Sequence, residues 1–116
     1  IIKNAKLRDA ILYIESRFDE SITLPDIAKA AGMNHTTLTA LMKEELGLTA
    51  IEYLMKYRIT VAKKQLEFTS VPIKDIANMT GFKTVQHFSR VFKSQTGATP
   101  AEFRKNAVQK RKDDFK

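Results

Sequence analysis

A repeat constrains this chain more than any other feature of its sequence. Asp26-Ile27-Ala28-x-x-x-Gly32 has the same pattern as Asp75-Ile76-Ala77-x-x-x-Gly81. Further on, Gly47-Leu48-Thr49-Ala50-Ile51-Glu52-Tyr53 is echoed by Gly97-Ala98-Thr99-Pro100-Ala101-Glu102-Phe103. The offset is 49 residues in the first match and 50 in the second, so the later copy holds one extra residue between its blocks. Leu38, Leu41, Met42 and Lys43 pair with Phe88, Val91, Phe92 and Lys93. Two matched blocks in one order imply two structural units of the same build.

Each copy reads as a short helix, a tight turn and a second helix. Ile27 and Ile76 are apolar anchors, and Ala28 and Ala77 are small enough for a crossing helix to approach. Gly32 and Gly81 can take the positive φ that ends a helix sharply. Met33 or Phe82 then plugs the corner, and Asn34 and Thr84 are good N-caps for the second helix. This is the helix-turn-helix pattern. A helical hairpin repeat without a ligand is the plainer alternative.

The remaining segments fit around the repeat. Leu7, Ile11, Ile14 and Phe18 recur at helical spacing behind a cap at Asn4. Thr23-Leu24-Pro25-Asp26 reads as a cap with proline in the first turn. From Thr49 to Glu67 there is neither proline nor glycine, and Ile51, Leu54, Ile59, Ala62 and Leu66 form an apolar stripe. One helix of about 19 residues is expected there, roughly 28 Å long. Thr69-Ser70-Val71-Pro72 breaks it. A last helix is expected from Thr99-Pro100 to about Asn106, followed by a charged, frayed tail. The fold class is therefore all-α, with about seven helices in two homeodomain-like helix-turn-helix subdomains. The expected layout is a first subdomain at 4–48, a linker helix at 49–68, a second subdomain at 71–107 and the tail at 108–116.

Charge adds a direction to this shape. Residues 1–50 carry six Lys/Arg against seven Asp/Glu, whereas residues 51–116 carry fourteen against six. All of the net +7 therefore belongs to the second half, as expected for a polyanionic partner there. The chain has no cysteine, which excludes disulfides and thiolate chemistry and suits a reducing cytoplasm. No apolar run approaches the roughly 20 residues of a membrane span. His35 and His87 have no carboxylate or cysteine at ligand spacing, and there is no phosphate-cradling glycine loop. The expectation is thus no enzyme activity, no metal and no cofactor.

The second helix of each unit carries the candidate chemistry. On the later one Phe88, Val91 and Phe92 form the inward side, and Gln86, Ser89, Arg90 and Lys93 the opposite stripe. An α-helix fits the major groove, where each base pair presents its own donor and acceptor pattern. Arg90 can fork onto guanine O6 and N7, Gln86 can pair with adenine, and Ser89 can serve either. Lys93 suits phosphate, as do Lys83 and Thr84 at the helix N-terminus. On the earlier helix Thr36, Thr39, Ala40 and Lys43 face outward, with Ala40 in the place of Arg90. Threonine and alanine can touch thymine methyl groups but offer no bidentate reader, so less discrimination is expected of this unit. Asn34, His35 and Lys43 are its candidate phosphate contacts. A connecting helix close in length to one DNA turn, about 34 Å, would let one chain read an asymmetric site of roughly two turns.

Ile76-Ala77-x-x-x-Gly81-Phe82, Phe88-Ser89-Arg90-x-Phe92-Lys93, Gly97-x-Thr99-Pro100 and Phe103-Arg104 resemble the DNA-binding domain of the AraC/XylS family of transcription regulators. Tyr53, Arg58, Ala62, Ile27, Ala28 and Gly32 also match, so the resemblance runs from about Thr23 to Arg104. It implies seven helices, two helix-turn-helix units, a connecting helix and promoter binding, with RNA polymerase as a further partner of activators. Larger members carry an N-terminal effector or dimerisation domain, which would account for a chain that begins with Ile1. By position it carries base reading onto Thr36, Thr39 and Ala40, and onto Val85, Gln86, Ser89 and Arg90. Met42 stands where the family usually has phenylalanine, and Ala40 where arginine is frequent. The rival readings are a protein-interaction module docking on polymerase with mainly non-specific DNA affinity, and a wholly non-specific nucleic-acid binder.

Overall fold

The computed structural model describes residues 2–115, which form α1 (Ala5–Ser16), α2 (Leu24–Ala30), α3 (His35–Leu46), α4 (Ala50–Phe68), α5 (Ile73–Met79), α6 (Val85–Thr96) and α7 (Pro100–Asp114). Among the described residues there is no strand. The chain divides into two compact units with the boundary between Tyr57 and Arg58, inside α4. The helix read from the sequence as a linker is therefore shared. Ala50 and Leu54 belong to the core of the first unit, and Ile59, Ala62 and Leu66 are buried in the second.

The first unit packs α1 against α2 and α3, and α2 against α3. Asn4 caps α1 by accepting the Leu7 N–H at 3.0 Å, and Leu7, Ala10, Ile11 and Ile14 form its buried stripe. Ile27, Leu38, Met42 and Leu54 complete the core. Behind it, the Tyr53 hydroxyl donates to Glu15 at 2.6 Å, and Phe18 meets Tyr57 edge-on at 5.4 Å. Burial of Tyr53, then the Glu15 carboxylate, raises the phenol pKa far above its ordinary value. Tyr53 thus acts as a neutral donor that ties α4 to α1.

The second unit packs α5 on α6 and α6 on α7. Its core is aromatic where that of the first is aliphatic. Phe82, Phe88, Phe92 and Phe103 form a chain of rings with successive centroids 5.3, 5.7 and 5.3 Å apart. Tilted and edge-on pairs of this kind contribute roughly 0.5–1.5 kcal/mol each beyond the area they bury.

Two expectations need correction. Ile51 does not join the buried stripe of α4: it is exposed, and Ala50 takes the inward place. The helix begins one residue later than its sequence pattern implied, and Ile51 lies about 100° round from Ala50. Residues 108–114 are not a frayed tail, because α7 continues to Asp114. The cause is tertiary. Arg104 donates to the carbonyls of Leu66, Gln65 and Thr69 at 3.2, 3.5 and 3.2 Å, and Arg111 donates to that of Glu67. Seven residues apart, the two arginines share one face of α7, and both end on the carbonyl-bearing terminus of α4, where unpaired acceptors and the helix dipole favour a cation.

Arg104→Ala should accordingly destabilise the chain by about 1.5–3 kcal/mol, the range for hydrogen bonds to a charged group. Arg104→Lys should recover only part of it, since an ammonium lacks the planar fork. Urea denaturation measures both, and an Arg104→Ala midpoint equal to that of the native chain would remove Arg104 from this role.

Candidate nucleic-acid interface

The candidate interface is built on two matching corners. After α2, the Met33 N–H donates to the Ala28 carbonyl at 3.0 Å and the Gly32 N–H to that of Lys29 at 3.1 Å. After α5, Phe82 donates to Ala77 at 3.0 Å and Gly81 to Asn78 at 3.2 Å. This nested pair of bonds is the Schellman motif. It requires left-handed backbone at the glycine, and φ is +65° at Gly32 and +90° at Gly81. Each corner passes directly into the cap of the next helix. Asn34 Oδ1 accepts the Thr37 N–H at 2.8 Å, and Thr84 Oγ1 accepts that of His87 at 3.0 Å.

The plug behind the corner differs between the units. Met33 is half-buried, whereas Phe82 is buried against Phe88, with His87 edge-on at 5.4 Å. Arg58 is buried, its guanidinium 5.5 Å from the Phe82 ring centroid. This cation supports the corner of the second unit from inside. The family resemblance included Arg58, but its burial was not legible locally, because an arginine between Tyr57 and Ile59 reads equally well as solvated.

Both second helices separate their faces much as the sequence implied, except that Leu41 and Val91, expected inward, are only half-buried. Phe88 and Phe92 of α6 are fully buried, while Gln86, Arg90 and Lys93 are exposed. Ser89 and Val85 are half-buried, and Lys83 and Thr84 precede the helix in the open. On α3, Leu38 and Met42 are fully buried, Thr36, Ala40 and Lys43 exposed and Thr39 half-buried; Asn34 and His35 are exposed at its start. From Leu38 to Ala50 the alternation of buried, half-buried and exposed residues repeats position by position from Phe88 to Pro100. Surface shape distinguishes the two. His35, Thr36, Thr39, Ala40 and Lys43 line one shallow depression on α3. In the second unit the depression lies between α5 and the start of α6, bordered by Lys74, Asn78, Phe82, Lys83, Thr84 and Val85. Gln86, Ser89, Arg90 and Lys93 lie outside it.

The capping glutamates were missed as contributors to this surface. Thr49 and Glu52 cap α4 reciprocally, with bonds of 2.8 and 3.1 Å, and Thr99 and Glu102 cap α7 with the same lengths. The Thr-x-x-Glu spacing was the available signal. Lys43 Nζ stands 3.5 Å from Glu52, and Lys93 is near enough to Glu102 to help hold its proton off. Lys43 therefore sits beside a carboxylate and Lys93 within electrostatic reach of one, whereas Lys83 is simply exposed. The carboxylates of Asp26, Glu52 and Glu102 all lie below their ordinary pKa, chiefly because the backbone N–H of their cap residue donates to the charged form. Among the described residues no group of His, Asp and Glu could hold a metal ion, and no helix is long and apolar enough to cross a membrane.

The family model described as a helix-turn-helix domain matches residues 27–106. The chain belongs to the AraC/XylS family. It is 40% identical over 87 residues to the transcriptional activator NphR of a Rhodococcus species, covering 75% of this chain and 26% of that one. It is 32% identical over 109 residues to the arabinose operon regulatory protein of Escherichia coli, covering 93% of this chain and 37% of the regulator. The chain thus spans well under half the length of either relative. The C-terminal domain of AraT, a response regulator from Geobacillus stearothermophilus, superposes with a TM-score of 0.85 at 32% identity, covering 89% of this chain and 86% of that domain. Within the AraC/XylS family this chain corresponds to the helix-turn-helix DNA-binding domain of a bacterial transcription regulator.

A depressed folded pKa contributes stability that is complete above the unfolded carboxylate pKa, about 4.3 for glutamate, and is lost as pH falls through the folded value. Glu102→Gln keeps an acceptor in the cap but cannot titrate. Its Tm should therefore fall less than that of the native chain between about pH 5 and pH 3. Parallel curves would show that this carboxylate is not linked to folding.

Proposed function

We propose that the chain recognises a specific sequence of double-stranded DNA, with α3 and α6 each in a major-groove segment of one asymmetric site. The observation that carries this reading is the division of α6. Two phenylalanines anchor one side completely, and Gln86, Arg90 and Lys93 are exposed on the other. A helix held so firmly from behind presents its polar edge at little further cost in ordering. In this reading Arg90 takes guanine, Gln86 adenine, and Ser89 and Val85 the adjoining base edges. Lys83, Thr84 and Lys93 contact phosphates, as do Asn34, His35 and Lys43 in the first unit. Asn34 and Thr84 use their acceptors on helix caps, so they would meet phosphate as donors through Nδ2 and the hydroxyl hydrogen.

Thr36, Thr39 and Ala40 form the base-facing edge of α3. The head-to-tail repeat supports a site without two-fold symmetry, and one α4 of 19 residues carrying core residues of both units supports reading by a single chain. In the whole regulator this domain would follow an effector or dimerisation domain, act in the cytoplasm without catalysis of its own, and in an activator contact RNA polymerase. The named activator among its relatives supports that last role.

Selection of bound sites from a random DNA pool tests specificity, length and asymmetry together. On the selected site Arg90→Ala should cost about 1–3 kcal/mol and relax preference at one base pair. Equal losses on selected and random DNA would make Arg90 a phosphate contact. Lys93→Ala should weaken all sequences alike and lower the salt slope by about one unit. An unaltered slope would strike Lys93 from the phosphate contacts.

A further inference from the structure

We propose that the first unit selects its part of the site by seating a thymine C5-methyl group in the depression around Ala40. The inference rests on the reading that α3 lies in a major groove, and it names what α3 recognises there.

Three observations lead to it. The first is the lining. The middle of the depression is made by Thr36, Thr39 and Ala40, with His35 and Lys43 toward its ends. The groups that these three offer are the two threonine methyls, the alanine Cβ and two hydroxyls. At the matched positions α6 carries Gln86, Ser89 and Arg90, which fill space and present donors. The same burial pattern thus supports a knob on one helix and a hollow on the other.

The second observation is what the first unit lacks. Up to Tyr57 the chain carries seven Lys/Arg and eight Asp/Glu, against thirteen and five from Arg58 onward. Glu44 and Glu45 are exposed on α3 where α6 has Ser94 and Gln95. Carboxylates near a DNA backbone repel it, so attraction to phosphate is a weak source of hold for this helix. The third is that two of its outer polar groups have partners within the chain: Asn34 Oδ1 caps the helix, and Lys43 stands at Glu52.

An apolar hollow with little electrostatic pull needs an apolar complement. Among the base edges of the major groove, the thymine methyl is the one apolar group. The hydroxyls of Thr36 and Thr39 can satisfy the neighbouring thymine O4 or adenine N6, so seating the methyl strands no polar atom.

Deoxyuridine lacks only that methyl, and this decides the experiment. Each thymine of the selected site is replaced singly by deoxyuridine, and affinity is measured with the whole chain. One or two thymines under the first unit should lose about fourfold, the worth of one buried methyl, with little change elsewhere. Ala40→Arg adds a good helix former at an exposed position and fills the hollow, so unchanged melting with a thymine-to-uracil ratio near one is expected. Thr39→Ser, which keeps the hydroxyl and removes its methyl, should lower the ratio partway.

Ratios near one throughout, or a ratio that persists in both variants, would overturn the proposal, the second by assigning the effect to DNA shape. Should full base-pair replacements under the first unit also have no effect, the placement of α3 in a groove fails with it. Sensitivity to replacement without sensitivity to uracil would sink the methyl contact alone.

Discussion

The left-handed glycine corner is the constraint on which the rest of each unit depends. At Gly32 and Gly81 the chain must turn within a few residues, keep the carbonyls at the end of a seven-residue helix satisfied, and pass into the cap of the next helix. The nested bonds from Met33 and Gly32, and from Phe82 and Gly81, meet those demands together. Helices as short as α2 and α5 are not stable alone. They persist because the corner turns Met33 or Phe82 back toward the core and because Ile27 and Ile76 are buried beneath. The starts of α3 and α6 are set by that turn.

The two units meet the same geometric requirement with different materials. The second builds its corner from rings, Phe82 against Phe88 and Phe88 against Phe92, with the Arg58 guanidinium against Phe82. The first uses Met33, Leu38 and Met42, and secures α4 through the Tyr53–Glu15 bond. Unbranched methionine fills a core gap without demanding one shape, which is why Met42 can stand in the place of Phe92 and remain fully buried. The outward faces diverge further than the cores do. Arg90 and Ala40 occupy matched positions of matched helices, yet one projects a charged fork and the other leaves a hollow. A duplicated scaffold can therefore carry two unlike exposed surfaces, since outward side chains contribute little to the packing beneath them.

The capping glutamates stand close to two of the lysines proposed to meet phosphate. Glu52 and Glu102 cap the starts of α4 and α7; Lys43 of α3 stands 3.5 Å from Glu52, and Lys93 of α6 is within electrostatic reach of Glu102. Exposed ion pairs of this sort contribute little to stability. Lys43 and Lys93 are thus not locked in place by these carboxylates, and under the proposed reading a DNA phosphate would compete with them on similar terms.

The sequence by itself determined the features that short-range physics controls. The repeat, the turn glycines, the caps at Asn4, Thr23, Asn34 and Thr84, and the two-faced character of α3 and α6 all arise from residues within a few positions of one another. So does the break after Phe68, ahead of Pro72. Only the tertiary structure decided that α7 runs on to Asp114, that Arg58 is buried, that Ile51 yields its inward place to Ala50, and that Thr36, Thr39 and Ala40 border a hollow. In each case the deciding partner is remote in the chain or the outcome is a matter of helix phase. The bonds from Arg104 and Arg111 reach 35 to 44 residues back to the end of α4. No local pattern carries that information, because a charged stretch reads as a solvated tail until the carbonyls it satisfies are brought alongside.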